Sequence, residues 1–269
     1  MIEILKYIFI GLVQGFAEVL PISSSAHIII ASEFVDIDNS VAFEVFLHLA
    51  SLIAVLVFLR KRLWRLIKGF CLYLFKKNKD YKLEFNYCLY IVLSTLFLVV
   101  FTLIIGDFFD FVSNTLWIVG LLLCINGFLL FFLTQIKGTR KEEELNYKDS
   151  IVIGLFQCLG SFPGISRSGS CLYGAYARKI DNQTAADYAF TLFVPAMVGA
   201  TVLHITEISS MFTETSMLGY YILSFIVTLV TTYIAFKFLL AIIRKGKLNY
   251  FGYYCLAMGA AMFVYGLLK

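Results

Sequence analysis

Gly11-Leu12-Val13-Gln14-Gly15-Phe16-Ala17-Glu18-Val19-Leu20-Pro21-Ile22-Ser23-Ser24-Ser25-Ala26-His27 sets an amide, an acid, three consecutive hydroxyls and an imidazole into an otherwise apolar run. Polar groups in such surroundings are costly unless paired, so a cluster of them marks a functional site by default. Gln14 and Glu18 lie four apart and share one helical face. Pro21 lacks an N–H and disfavours helical geometry in Leu20, so the helix over 1–16 ends or kinks there. Ser23 or Ser24 then caps a second helix through His27 to about Phe34. Neither piece spans a bilayer alone, and a re-entrant helix-turn-helix fits the lengths. A second break of the same kind is Gly160-Ser161-Phe162-Pro163-Gly164-Ile165-Ser166-Arg167-Ser168-Gly169-Ser170.

Around these breaks the chain is membrane material. It has 269 residues, 60% hydrophobic and only 15% charged, with a mean hydropathy of +0.85, well outside the soluble range. Apolar runs of the roughly 20 residues needed for a span fall at 41–59, 88–105, 112–133, 185–204, 219–243 and 250–268. No small-residue processing site and soluble segment follow the first apolar run, which is therefore kept as mature structure. The six cysteines stand singly without metal-ligand spacing and read as packing residues. The net charge of +4 comes from basic residues between the runs, which suits membrane orientation and argues against nucleic-acid binding.

Basic residues from Arg60 to Lys82 place the first connection inside. Asp107 and Asp110 place the next outside, and the linker with Lys137, Arg140, Lys141 and Lys148 is inside again. Arg178 and Lys179 read inside, the segment from Glu207 to Glu214 outside, and Arg244, Lys245 and Lys247 inside. The two polar breaks then enter from opposite faces and can meet near the midplane. A shift of 143 residues lays Gly11-Leu12 on Gly154-Leu155, Gln14 on Gln157, Ile22 on Ile165, Ser23 on Ser166 and Ser25 on Ser168. The expected fold is an all-α polytopic membrane protein: about six transmembrane helices plus two re-entrant helix-turn-helix loops in an inverted-topology repeat. It forms one domain over 1–269, with a first repeat over 1–133, a cytoplasmic linker over 134–149 and a second repeat over 150–269.

The chemistry follows from the residue types. Arg167 between Ser166 and Ser168, with Gly164 and Gly169 allowing close backbone approach, suits an oxyanion or phosphate. Glu18, helped by Gln14, can ligate a hard divalent cation, and Ser24 and His27 can share a helical face. His27 could serve a hydroxyl or a water as general base. The bland alternatives are an Arg167–Glu18 ion pair and a packing histidine. Glu44 and, at the same 143-residue shift, Asp187 are candidates for orienting these groups, as is Gln157. His48, one turn after Glu44, is a further candidate partner, whereas His204 reads as interfacial.

Both motifs resemble those of the bacterial undecaprenyl-diphosphate phosphatase family, also called the bacitracin-resistance phosphatases. The first signature appears as Gln14, Glu18, Pro21, Ser23, Ser24 and His27, and the second is complete from Pro163 to Gly169. Likeness through Phe43-Glu44 and Phe190 to Thr201 extends it over nearly the whole chain. The resemblance implies hydrolysis of a C55 isoprenoid diphosphate lipid at the outer side of the bacterial cytoplasmic (inner) membrane, with a divalent cation, Mg2+ or Ca2+. It implies Glu18 with Gln14 as the metal or phosphate site, Ser24 and His27 as the catalytic pair and Arg167 as the diphosphate clamp. Ser23, Ser25, Ser166 and Ser168 with Gly164 and Gly169 complete the substrate shell. Ala26 replaces the glycine usual before the histidine, and His48 and Ala50 stand where the family more often has Gln and Gly. The rival reading is a carrier for a lipid phosphate or small anion. Partners are the lipid substrate and the bilayer, no nucleic acid, with homodimerisation left open.

Overall fold

The computed structural model describes residues 2–35, 37, 40–133, 135–212 and 217–269. The side chains of Asp107 and Asp110, and all of Glu214, three acids in the charge reading, lie outside the described residues. The described chain is helical and contains no β-strand. In order the helices are α1 Ile2–Val19, α2 Ser24–Val35, α3 Val41–Lys76, α4 Lys82–Ser113, α5 Leu116–Leu133, α6 Tyr147–Leu159 and α7 Arg167–Ala177. They continue as α8 Asn182–Leu203, α9 Ile205–Met211, α10 Leu218–Arg244 and α11 Asn249–Leu268. By length and apolar character α3, α4, α8, α10 and α11 can each cross a membrane. The expected span at 112–133 is the shorter apolar helix α5, because α4 runs on to Ser113 and the turn at Asn114-Thr115 uses up its first residues.

The first connection also differs from expectation. Residues Arg60 to Lys76 continue α3 instead of forming a loop, giving a helix of 36 residues. Leu, Lys and Arg are good helix formers, and no proline interrupts them. The loop proper is reduced to a few residues after Lys77, which closes α3 in the left-handed conformation. The basic residues nonetheless stay clustered at one end of the bundle.

Side-chain hydroxyls and amides set the other boundaries. Ser40 caps α3 by accepting from Phe43 N–H at 3.3 Å, Asn146 and Asp149 form a capping box on α6, and Asp181 caps α8. Each satisfies donors that a helix start leaves unpaired. Helices α1 and α10 pack closely, with Ser224 Oγ donating to the Tyr7 carbonyl at 2.6 Å. A Cβ at Gly11 would sit 2.7 Å from the Ser224 carbonyl, so this approach needs glycine, as expected where membrane helices associate through small residues.

The main core gathers Leu123, Tyr173, Phe190 and Phe236, and a smaller one gathers Tyr7, Phe43, Phe46 and Ile208. Outward-facing surfaces are equally apolar: Leu103 and Ile104 are 72% and 76% exposed, which suits lipid rather than water. At the basic end, Arg140 grips Asp149 through two bonds of 2.8 and 2.7 Å, and Arg178 Nε adds a third at 2.7 Å. The hydrogen bond to Asp149 holds the Arg140 proton more tightly than usual. Nearby, Arg62 bonds Glu142 at 2.6 Å and Asp187 at 3.2 Å, tying the linker to α3 and α8.

Candidate active site

Both polar breaks become turns between two helices, and the turns touch. Helix α1 stops at Val19, and Ser23 takes a left-handed φ of 70°, a conformation that costs a non-glycine residue about 1–3 kcal/mol unless its surroundings hold it. They do. Ser23 Oγ accepts from Gly164 N–H at 3.0 Å, and its carbonyl accepts from His27 Nδ1 at 2.8 Å. The Ser23 hydroxyl therefore reaches across to the second turn. Gly164 has a φ of 107°, and a Cβ there would lie 2.6 Å from Leu122 Cβ, so both conformation and space require glycine. Ser168 Oγ donates to the Val19 carbonyl at 3.3 Å, and Ser166 caps α7 through Gly169 N–H at 3.1 Å.

A residue that sequence reasoning passed over joins these turns. Asn126, fully buried on α5, donates Nδ2–H to the Pro21 carbonyl at 2.9 Å. Its Oδ1 accepts from Ser166 N–H at 3.1 Å and Tyr173 O–H at 2.9 Å. The available signal was an isolated amide in the apolar run Leu116–Leu133. Asn126→Ala leaves the buried Pro21 carbonyl and Ser166 N–H short of partners, while the Tyr173 hydroxyl keeps the residue-126 backbone carbonyl at 3.3 Å, and should cost about 2–4 kcal/mol. Equilibrium unfolding in detergent measures this, and a loss below about 1 kcal/mol would show that other contacts join the turns.

Between the turns lies a small cavity lined by Glu18, Ser23, Ser24, Ser25, Ser166, Arg167, Ser168 and His48, with Gly160, Phe162, Ile165 and Phe193. Glu18 is 9% exposed. Its Oε2 accepts from Gln14 Nε2–H at 2.7 Å and faces His48 Nε2 at 3.3 Å. Ser25 Oγ donates to Glu44 Oε1 at 2.8 Å at the rim. Ser24 faces the cavity and has no hydrogen-bond partner among the described residues. Arg167 forms no salt bridge among them: its Nη1 meets only the Met197 sulfur at 3.7 Å, and its buried Nε has no partner. The Arg167–Glu18 ion pair is thus absent from the described contacts. A guanidinium without a carboxylate, at the N-terminus of α7, is suited to an incoming anion.

Three of the sequence candidates lie elsewhere. His27 is absent from the cavity wall. Its Nδ1 faces the Ser23 carbonyl, which only accepts, so the proton belongs on Nδ1 and Nε2 accepts from Tyr254 O–H at 2.8 Å. Gln157 lies buried behind Arg167 in a second small cavity shared with Ser168, its Nε2 unpartnered. Asp187 belongs to the Arg62 network at the basic end.

No three His, Cys, Asp or Glu side chains among the described residues converge as a metal cage. The donors nevertheless fit a hard cation that takes part of its coordination from substrate: Glu18 supplies a carboxylate, and Gln14 Oε1 is buried without a partner. Magnesium characteristically uses one or two carboxylates together with phosphate oxygens. Beyond the cavity, a crevice of about 540 Å³ opens between Ser25, Glu33, Val41, Glu44, Ser113 and Pro163. Ser25 lines both spaces.

Residues 7–261 match the family described as "Bacitracin resistance protein BacA". A protein of Bacillus anthracis named "Undecaprenyl-diphosphatase 3" is 34% identical over 263 residues, 97% of each chain. An "Undecaprenyl-diphosphatase" of Oceanobacillus iheyensis is 34% identical over 267 residues, 97% of this chain and 96% of the relative. "Undecaprenyl-diphosphatase 2" of Halalkalibacterium halodurans is 35% identical over 267 residues, 98% and 96% of the two chains.

Proposed function

Since this chain belongs to the BacA family of bacitracin resistance proteins, we propose that it hydrolyses undecaprenyl diphosphate to undecaprenyl phosphate and inorganic phosphate. The observation that carries this reading is Arg167, a cation without a carboxylate partner among the described residues, in a cavity with Glu18 and serine hydroxyls. The protein is a multi-pass membrane protein, and its apolar exterior offers the isoprenoid tail lipid-like surface while the diphosphate reaches the polar turns. Two re-entrant loops in an inverted repeat account for the paired turns. The crevice sits between the end of α2, the start of α3 and the end of α4, opposite the basic end. The excess of Lys and Arg at that other end supports entry from the outer face of the cytoplasmic membrane.

In the proposed reaction the Arg167 fork neutralises non-bridging oxygens of the diphosphate, aided by the positive end of α7. Ser24 Oγ attacks the terminal phosphorus. The bond to the bridging oxygen breaks, and undecaprenyl phosphate leaves with that oxygen. Water then releases phosphate from Ser24. His27 lies on the same helix and takes the Ser24 proton once it gives up Tyr254, since catalytic hydrogen bonds often form only with substrate bound. Glu18 and Gln14 would hold a divalent cation, which when bound supplies further charge neutralisation at the phosphoryl oxygens.

Rapid quenching of a reaction with lipid labelled in the terminal phosphate should trap label on Ser24, and Ser24→Ala should lose turnover about 10²-fold or more. Undiminished turnover in Ser24→Ala would assign the attack to water. A carrier would transfer no phosphate at all.

A further inference from the structure

We propose that His48 is a positioning residue for Glu18, pinning one carboxylate oxygen so that the other stays unengaged at the reaction centre. The inference rests on the phosphatase reading of the cavity. His48 is buried on α3 and lines that cavity beside Glu18, Ser24 and Arg167. Its Nδ1 lies 2.7 Å from the Glu44 carbonyl oxygen. A carbonyl only accepts, so Nδ1 carries hydrogen and the ring is anchored to its own helix. Its Nε2 then faces Glu18 Oε2 at 3.3 Å.

The same Oε2 receives the Gln14 amide at 2.7 Å. Groups from α1 and α3 thus converge on one oxygen, while Oε1 takes part in neither contact. The terminal torsion of a glutamate is broad, and pinning Oε2 fixes where Oε1 stands. The turn that carries His48 is itself tied to α2, because Ser25 Oγ holds the Glu44 carboxylate at 2.8 Å. His27 is engaged by Ser23 and Tyr254, so the imidazole facing the cavity is His48. Partners that orient a ligating carboxylate typically govern affinity or rate by about 10- to 100-fold.

The test compares wild type, His48→Ala, His48→Gln and Glu18→Gln as purified full-length proteins, with thermal unfolding as the check on folding. Turnover of C55 diphosphate gives kcat and KM, and a non-hydrolysable C55 methylene diphosphonate gives binding without chemistry. His48→Ala should lower kcat about 10- to 100-fold with KM and diphosphonate affinity within about threefold. His48→Gln, whose amide N–H can donate toward Oε2, should return to within about fivefold of wild type. Unchanged kcat in His48→Ala, or His48→Gln as slow as His48→Ala, overturns the assignment. Absence of release by the folded wild type would instead overturn the phosphatase reading itself.

Discussion

Arg167→Ala is expected to lower kcat/KM for undecaprenyl diphosphate about 10³-fold, because preorganised positive charge on a transferring phosphoryl group is among the largest catalytic terms. Among the described residues Arg167 has no carboxylate to lose and its Nε is already unpartnered, so the variant sheds a partly buried charge that none of them pairs. Its stability should be equal to that of wild type or higher. Loss of activity without loss of fold separates a substrate clamp from a structural ion pair. Arg167→Lys should recover little, since a point charge does not reproduce the planar fork that engages two oxygens together. Steady-state kinetics beside thermal unfolding measure this, and retention of more than about a tenth of kcat/KM by Arg167→Ala would remove the clamp from the mechanism.

Glu18→Ala should be nearly as severe, about 10²- to 10³-fold, with a different signature. Removal of the carboxylate strands Gln14 Nε2 and His48 Nε2, which now converge on it, so about 1–3 kcal/mol of stability should go with the activity. Raising Mg2+ or Ca2+ should not restore the rate, because the carboxylate proposed to hold the cation is gone. Glu18→Gln keeps the volume and should spare more of the stability than of the rate. If added cation returned Glu18→Ala to wild-type turnover, Glu18 would not be the residue that holds it.

Much of this architecture was legible in the chain because the bilayer constrains it strongly. Pro21 ends α1 at Val19, the apolar runs become long helices, and the turn at 160–166 meets the turn at 20–23. Helix lengths were less legible: the apolar signal fades near Arg60, but helix propensity carries α3 on to Lys76. Glu18, Ser24 and Arg167 do share one cavity. Sequence spacing also put His27 beside Ser24. It could not foresee that Ser23 would take a left-handed turn and present its carbonyl to the imidazole, or that Tyr254, 227 residues away, would take the other nitrogen. Asn126 joins the turns through residues distant in sequence, contacts that no helical periodicity reports, whereas His48 was marked by its place one turn after Glu44 and only its approach to Glu18 is tertiary. Asp187 matches Glu44 in the 143-residue alignment, yet it faces Arg62 where Glu44 faces Ser25.

The most direct test of the account is the stoichiometry of a single turnover: purified protein in detergent with Mg2+, in excess over C55 diphosphate, followed by separation of lipid and phosphate products. One equivalent of inorganic phosphate and one of undecaprenyl phosphate is the predicted result. Recovery of intact undecaprenyl diphosphate from folded protein, with either cation, would contradict hydrolysis and leave the paired turns as the binding site of a carrier.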